Sequence, residues 1–276
     1  MIYTKLTILF KSEQNPPYFI GSQLRGAFGY SLKKVTCINP TFRCEECFAT
    51  ANCLYYEFYE AKNEAHKYRF DFELGKEFYE FNFYLFDDAC MKLPYVVSAL
   101  HMMLTQVGLG RDRTTYKEFS MYINDANAFV NSQLKLPLNF IKEFETPKHF
   151  SNVKIKFVTP LRIKKGNRFI RDDSLALKDI VNSIYQRQLQ ILGKPPKKFP
   201  YEIHGEIIQK ELHYKELTRQ SNRQKTTMHL GGIIGEMKIK NIDEKSYHVL
   251  KLGEILACGK STVFGLGKIK VESVDG

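Results

Sequence analysis

Four cysteines lie close together in the first quarter of the chain. Cys37, Cys44, Cys47 and Cys53 fall within 17 residues and have the spacing C-x6-C-x2-C-x5-C. Four thiolates this close in sequence can form a tetrahedral zinc site, in which a C-x2-C pair is a common element. We expect a structural zinc ion here, because four protein ligands leave no position for a reactive water. An iron–sulfur cluster and unligated thiols are the alternatives.

A glycine-rich run comes shortly before the end of the chain. It includes Lys260, Gly265 and Gly267. Glycine tolerates positive φ and lets backbone N–H groups approach a phosphate closely. The run is not a nucleotide-binding Walker loop, because Glu254 stands where that motif requires a glycine. We therefore expect either a phosphate-contacting loop or a tight helix-to-strand connection.

A short polar segment in the second half combines cations with amide and hydroxyl side chains. Arg219, Arg223 and Lys225 alternate with Ser, Asn and Gln residues. Such a mixture can contact phosphates, 2′-hydroxyls and base edges, although a solvated loop is an equally simple interpretation. Arg111 and Arg113 are weaker candidates for the same surface.

Hydrophobic periodicity predicts the same order of elements twice. In the first half, the pattern predicts strands near 2–10, 68–74, 79–85 and 119–123 and helices near 21–35 and 94–107. In the second half, it predicts strands near 153–163, 201–212, 227–239 and 263–272 and helices near 174–191 and 244–257. The order favours an α+β protein with two tandem ferredoxin-like (βαββαβ) domains, at 1–135 and 150–276, and a cysteine-rich insertion at 37–53 in the first.

Composition favours a globular protein with a polyanionic partner. The chain has 276 residues, 43% of them hydrophobic, and a net charge of +11, with a pI near 9.2. This balance favours nucleic acid as the partner, through neutralisation of phosphates. Neither a signal peptide nor an apolar stretch of about 18 residues is visible, so we expect a cytoplasmic protein without a membrane partner. Reduced or metal-bound cysteines are expected in that compartment.

Four segments resemble one known family. The glycine-rich run is similar to the hallmark loop of RAMP proteins, and three further segments resemble the CRISPR precursor-RNA processing endoribonucleases within that superfamily. These segments are Leu24–Gly29, Thr159–Ile163, and Arg219–Gln224 leading into Leu230–Gly235. The resemblance implies binding of CRISPR repeat RNA, cleavage of precursor crRNA without a metal cofactor, and delivery of the guide to an interference complex. The expected RNA contacts are Arg25, Arg219, Arg223, Lys225, Lys260, Gly265 and Gly267.

Metal-free RNA cleavage of this kind requires two proton-transfer groups and positive charge. The 2′-hydroxyl attacks the adjacent phosphate, which leaves a 2′,3′-cyclic phosphate and a 5′-OH, and histidine suits either proton-transfer role. The family often places its histidine at or just after the first helix, but residues 20–36 contain none. We expect His66 to act with Tyr30 and Lys33 of the first helix, and His229 is the main rival.

Two other functions remain open at the level of sequence. A non-catalytic RNA-binding RAMP subunit of an effector complex would need the glycine-rich loop and the basic surface but no histidine. A metal-sensing or redox protein would instead depend on the four cysteines.

Overall fold

The computed structural model describes residues 1–62, 65–130, 133–221 and 226–274, and only the backbone of residues 130, 219–221 and 226–227. The chain divides into two units. The first comprises Met1–Phe70 and Gly75–Glu143, and the second comprises Asp71–Leu74 and Phe144–Gly276.

The first unit contains a sheet and two helices. Its main strands are β1 (Ile2–Phe10), β2 (Tyr68–Phe72), β3 (Tyr79–Phe86) and β4 (Ser120–Ile123), and its helices are α1 (Gly21–Thr36) and α2 (Leu93–Met102). The last two residues of β2 are counted with the second unit in the division given above. The strands follow the order β2-β3-β1-β4, and β1 pairs antiparallel with both β3 and β4. This is the ferredoxin-like order that the periodicity predicts.

The helix α1 packs on this sheet through apolar residues spaced four apart. Leu24, Phe28 and Leu32 are buried, and the Phe28 ring centroid lies 4.8 Å from that of Phe83 in β3. This spacing places the three side chains on one face of the helix. The exposed face of α1 is left available for charged residues.

The helix α2 ends in an irregular turn. Five residues, Met103–Val107, form a π-helical turn after α2, and Gly108 then ends the helix with a φ of +76°. The sequence predicts one continuous helix up to Val107, so the end of the helix is correct but its last turn differs in type.

The strand β2 alternates in residue type but not in burial. Arg69 and Asp71 stand between its apolar residues, yet they are only 0% and 3% exposed. Every position of β2 is buried, so both faces of the strand are covered. The Arg69 guanidinium lies 5.0 Å from the ring centroid of Tyr84 in β3.

The second unit repeats the arrangement. Its strands are β5 (Val153–Leu161), β6 (Glu206–Lys215), β7 (Thr218–Ser221), β8 (Thr226–His229), β9 (Gly232–Lys240) and β10 (Ile269–Ser273), and its helices are α3 (Leu177–Ile191) and α4 (Glu244–Leu256). The sheet order is β6-β9-β5-β10, while β7 and β8 pair as a separate hairpin. The order of β5, α3, β6, β9, α4 and β10 is again ferredoxin-like.

An aspartate side chain forms a hydrogen bond at the N-terminus of each helix in this unit. Asp243 caps α4 by accepting a hydrogen bond from the N–H of Ser246 at 2.9 Å. The sequence predicts that α3 begins near residue 174, but the helix begins at Leu177. The carboxylate of Asp179 there accepts a hydrogen bond from the N–H of Ala176 at 3.0 Å.

The chain also contains several two-residue strands. Two-residue strands occur at Ala126–Asn127, Phe129–Val130, Gln133–Leu134, Lys142–Glu143, Lys164–Lys165 and Arg168–Phe169. No helix in the described part of the chain is long and apolar enough to span a lipid bilayer. The four clustered cysteines fall between α1 and β2, and their status as an insertion into the fold stays a prediction.

Candidate functional site

Three of the four quoted segments meet in the second unit. The hydroxyl of Thr159 donates to the carbonyl oxygen of Gly265 at 2.8 Å and accepts from the N–H of Lys268 at 2.9 Å. The N–H of Gly267 donates to the carbonyl oxygen of Pro160 at 3.1 Å. The end of β5 and the glycine-rich run therefore hold each other in place.

Arg162 links this pair to the third segment. Its guanidinium donates to the carbonyl oxygen of Gly231 at 2.7 Å and lies 4.4 Å from the ring centroid of Phe169. Partial burial lowers the pKa of Arg162. A Cβ on Gly232 would lie only 2.5 Å from the carbonyl oxygen of Leu161, so the two strands approach as closely as a glycine allows.

The glycine-rich run is a packed connection. Gly265 and Gly267 are buried with φ near +79° and +75°, and a Cβ on Gly267 would overlap the carbonyl oxygen of Cys258. The N–H of Gly265 donates to Thr262 at 2.9 Å, and that of Gly267 is bonded to Pro160. Both N–H donors are therefore engaged inside the protein, and the contact of this run with a phosphate stays a prediction. The exposed side chain of Lys260 remains available at this loop.

The hairpin of β7 and β8 carries the predicted cationic segment. The backbone of Arg219 belongs to β7, but its side chain is not described, and Arg223 and Lys225 lie outside the described residues. His229 ends β8 and is largely exposed, with its Nδ1 3.1 Å from the Glu216 carboxylate. The structure thus places His229 in the second unit, beside an acidic side chain.

A stack of tyrosines packs against α1 in the first unit. We call Tyr55, Tyr59 and Tyr68 the tyrosine cluster. The rings of Tyr55 and Tyr59 are parallel with centroids 5.3 Å apart, and the Tyr59 and Tyr68 centroids are 6.2 Å apart. Gly29 of α1 makes room for Tyr59, since a Cβ on Gly29 would lie 2.5 Å from the Tyr59 ring.

Two predicted cations of α1 bind this cluster. The Arg25 guanidinium lies 4.5 Å from the Tyr59 ring centroid, and the Lys33 ammonium lies 4.8 Å from that of Tyr55. The Tyr59 hydroxyl donates to the carbonyl oxygen of Arg25 at 2.7 Å. Sequence reasoning missed the cluster, although the aromatic run at residues 55–59 was a signal that could have indicated it.

Burial keeps the hydroxyl groups of Tyr59 and Tyr68 protonated. It raises the pKa of Tyr59 well above the ordinary tyrosine value and also raises the pKa of Tyr68, although nearby Arg25 acts in the opposite direction. Both side chains are therefore neutral hydrogen-bonding groups at physiological pH.

His66 contacts the tyrosine cluster, whereas Tyr30 has other neighbours. The imidazole centroid of His66 lies 5.8 Å from that of Tyr68, so His66 and Arg25 lie near the same tyrosine stack. Tyr30 is 49% exposed, and its ring lies 5.0 Å from the Lys34 ammonium and 5.8 Å from the Arg113 guanidinium. The structure brings His66 and Lys33 to one cluster and gives Tyr30 separate cationic neighbours.

The four clustered cysteines do not form a metal site in this structure. All four are half-buried free thiols, and the described residues include no group of three or more His, Cys, Asp or Glu side chains arranged to hold a metal ion. The Sγ of Cys37 donates to the carbonyl oxygen of Asn39 at 3.7 Å, and burial raises the pKa of Cys44. The described residues therefore give the zinc expectation no support, and it stays a prediction.

Comparison with known proteins identifies the second unit most directly. Residues 155–269 match a family model described as CRISPR-associated endoribonuclease Cas6, and residues 1–125 match a model described as an N-terminal domain. An uncharacterized protein of Archaeoglobus fulgidus is 23% identical over 299 residues, covering 98% of this chain and 96% of that protein.

Solved structures match the chain over nearly its whole length. The product complex of a Cas6 from Thermus thermophilus gives a TM-score of 0.59 at 15% identity and covers 99% of this chain and 100% of that one. A RAMP protein described as binding different RNA substrates gives a TM-score of 0.50 at 11% identity with the same coverage. Residues 155–269 are therefore similar to CRISPR-associated endoribonuclease Cas6, and the whole chain is Cas6-like in fold.

Proposed function

We propose that this protein binds CRISPR repeat RNA and cleaves precursor crRNA, by attack of a 2′-hydroxyl on the adjacent phosphate. The observation that carries the proposal is the Cas6 match over residues 155–269, a region in which three family-like segments pack together. The cationic side chains of α1 add a charged surface in the first unit. The products of this reaction are a 2′,3′-cyclic phosphate and a 5′-OH.

His66 is the proposed proton-transfer residue. An imidazole can exchange a proton near neutral pH, and each such role is typically worth about 10² to 10⁴ in rate. Arg25 and Lys33 would supply positive charge to the pentacovalent transition state. Tyr68 contacts His66 with its ring, and its buried, protonated hydroxyl donates to the carbonyl oxygen of Phe58 at 3.5 Å. Tyr68 would therefore help to position the imidazole and would not accept the nucleophile's proton.

Tyr30 has a proposed role at the exposed face of α1. Its hydroxyl is accessible, and Lys34 and Arg113 place two cations beside its ring. This arrangement suits contact with the scissile phosphate or its neighbour, where Tyr30 would donate a hydrogen bond to a phosphate oxygen. His229, Arg219, Arg223, Lys225 and Lys260 are the proposed contacts of the second unit.

The direct test is incubation of the purified protein with labelled repeat RNA in excess EDTA, followed by analysis of the product ends. A single cut that leaves a 2′,3′-cyclic phosphate and a 5′-OH is the expected result. Cleavage that disappears with EDTA and returns with added Mg²⁺ would contradict the metal-independent mechanism. Measurement of zinc in the same preparation tests the separate expectation of a structural metal.

A specific observation favours a second function, that of a non-catalytic RNA-binding subunit. The helix α1 carries no histidine, and His66, the first histidine beyond it, is half-buried beside Tyr68. Tight binding of repeat RNA without cleavage, under conditions with and without metal, would establish this alternative. In either function the bound guide RNA would pass to subunits of a CRISPR interference complex.

A further inference from the structure

We propose that the first unit holds a nucleobase pocket, a cavity that takes one unpaired base of the bound RNA. The cavity has a volume of about 660 Å³ and lies between residues 11–17 and 109–118, with Gln23 and Tyr79 also in its wall. The inference rests on the proposed function, since it names a subsite for the same RNA. It adds a contact outside the tyrosine cluster and the hairpin.

One wall of the cavity is a tight loop that the backbone holds in shape. Leu109 and Thr114 exchange two hydrogen bonds, from N–H to carbonyl oxygen, at 2.8 and 3.0 Å. A Cβ on Gly108 would overlap the carbonyl oxygen of Arg113, so the turn closes as tightly as glycine permits. The wall is therefore formed before a ligand binds, which lowers the entropy lost on binding.

The polar group in the wall is the amide of Gln23, at the start of α1. The hydroxyl of the buried Tyr79 donates to Gln23 Oε1 at 3.0 Å. Burial raises the pKa of Tyr79 to about 12, so this hydroxyl stays protonated and keeps the amide in one orientation. Gly110 lies against the amide, and a Cβ there would be only 3.0 Å from Gln23 Nε2. The amide N–H groups are thus fixed in a wall of the cavity.

An aromatic side chain forms a second part of the wall. The Tyr116 ring centroid lies 4.4 Å from that of Phe10 and 5.8 Å from that of Tyr79. The hydroxyls of Tyr116 and Ser12 are 3.2 Å apart and hydrogen-bonded. A fixed, partly exposed ring is a surface on which a base can stack.

The balance of charges at the cavity favours a base over a free phosphate. The charged residues in the wall are three cations and three acids, namely Lys11, Arg111, Lys117, Glu13, Asp112 and Glu118. Three amide side chains accompany them, from Gln14, Asn15 and Gln23. An amide offers both a donor and an acceptor, which matches the edge of a nucleobase, and the absence of excess positive charge gives a phosphate no advantage.

The size of the cavity agrees with this ligand. Sites for small molecules typically have volumes of about 300–1,000 Å³. Sequence-specific RNA recognition mostly uses unpaired bases that are splayed out and read at their edges. We therefore assign the cavity to one unpaired base of the repeat RNA, with Arg111 and Lys117 near its flanking phosphates.

The test combines removal of single bases with removal of the amide. Binding is measured for full-length protein and repeat RNA that lacks the 2′-hydroxyl at the mapped cleavage position, with an abasic site placed in turn at each unpaired nucleotide. In the parent protein, one abasic position should weaken binding about tenfold. In the variants Gln23→Ala and Asn15→Ala, removal of the same base should cost at most about twofold, since the pocket that read it is already lost.

Gln106→Ala is the matched control, because Gln106 is an exposed amide of the same unit outside the cavity. This variant should keep the abasic pattern of the parent. Asn15 is exposed, so its variant tests the pocket even where Gln23→Ala lowers the melting temperature. The pocket would be overturned if the abasic site weakened RNA binding equally in the parent and in both cavity variants. It would also be overturned if no abasic position weakened binding to the parent protein. A parent protein that does not bind repeat RNA at all would overturn the proposed function itself.

Discussion

The two units share one strand order but differ in the connection between their first helix and second strand. In the second unit, α3 and β6 are joined by residues 192–205. In the first unit, α1 and β2 are joined by residues 37–67, which hold the four clustered cysteines and two members of the tyrosine cluster. The first unit therefore carries its additional side chains in a long connection that packs back on α1.

Glycines also serve different purposes in the two units. In the second unit, Gly267 and Gly232 allow backbone to approach backbone, and the segments that resemble the family are bonded to one another. In the first unit, Gly29 allows an aromatic side chain to approach a helix that also bears Arg25 and Lys33. The second unit's glycines therefore bring backbone against backbone, while Gly29 in the first unit brings an aromatic side chain against a helix.

The largest expected effect is on the cleavage rate, and it tests which of the two units carries the proton-transfer residue. His66→Ala should reduce the cleavage rate by about 10² to 10⁴, because a lost general acid or base typically costs that much. RNA affinity should be retained, as measured by single-turnover cleavage alongside equilibrium binding. His229→Ala is the comparison variant in the second unit. A loss of cleavage in His229→Ala alone would move the proposed chemistry to the hairpin of β7 and β8.

The second effect concerns the packed glycines of the second unit. Gly267→Ala should lower the free energy of unfolding by at least about 3 kcal/mol, because its Cβ would overlap the Cys258 carbonyl oxygen at a φ of +75°. Chemical denaturation measures the change. Gly193→Ala shares a positive φ but has no atom within 4 Å of the added Cβ, so it separates backbone strain from steric overlap. Equal losses in both variants would contradict the packing explanation.

The smallest effect compares two glycines of α1. Gly29→Ala should destabilise the protein by about 1–3 kcal/mol, because the added methyl group would push against the Tyr59 ring. Gly26→Ala meets nothing within 4 Å and should stabilise the helix by about 0.5–1 kcal/mol through helix propensity. Thermal unfolding of the two variants measures both changes. Stabilisation by Gly29→Ala would show that the tyrosine cluster does not depend on its contact with α1.

Much of the fold was predictable because each element repeats a simple pattern. The alternation in β1 and the four-residue spacing of Leu24, Phe28 and Leu32 report burial directly, and burial determines which face of an element packs. The burial of Arg69 was not predictable, since a strand covered on both faces breaks the alternation on which that reasoning depends.

The candidate site was only partly predictable. Sequence spacing does not predict that Lys33 and His66 contact the same tyrosine cluster. The tyrosines that join them come from separate segments of the chain. The cysteine spacing is compatible with a metal site. Closeness in sequence allows four thiols to approach one another, but it does not determine that they do so. The glycine-rich run was recognised from its residues, whereas its internal hydrogen bonds required the structure.

The hydrogen bonds of the glycine-rich run limit how far its sequence can vary. The N–H of Cys258 donates to the carbonyl oxygen of Gly267 at 2.9 Å, so the run returns to its own starting point and tolerates little change in length or side-chain size. Its residues are constrained by geometry whether or not the protein cuts RNA. The run would fold in the same way in a protein without cleavage activity, so its presence reports the fold, and activity has to be read from the side chains elsewhere.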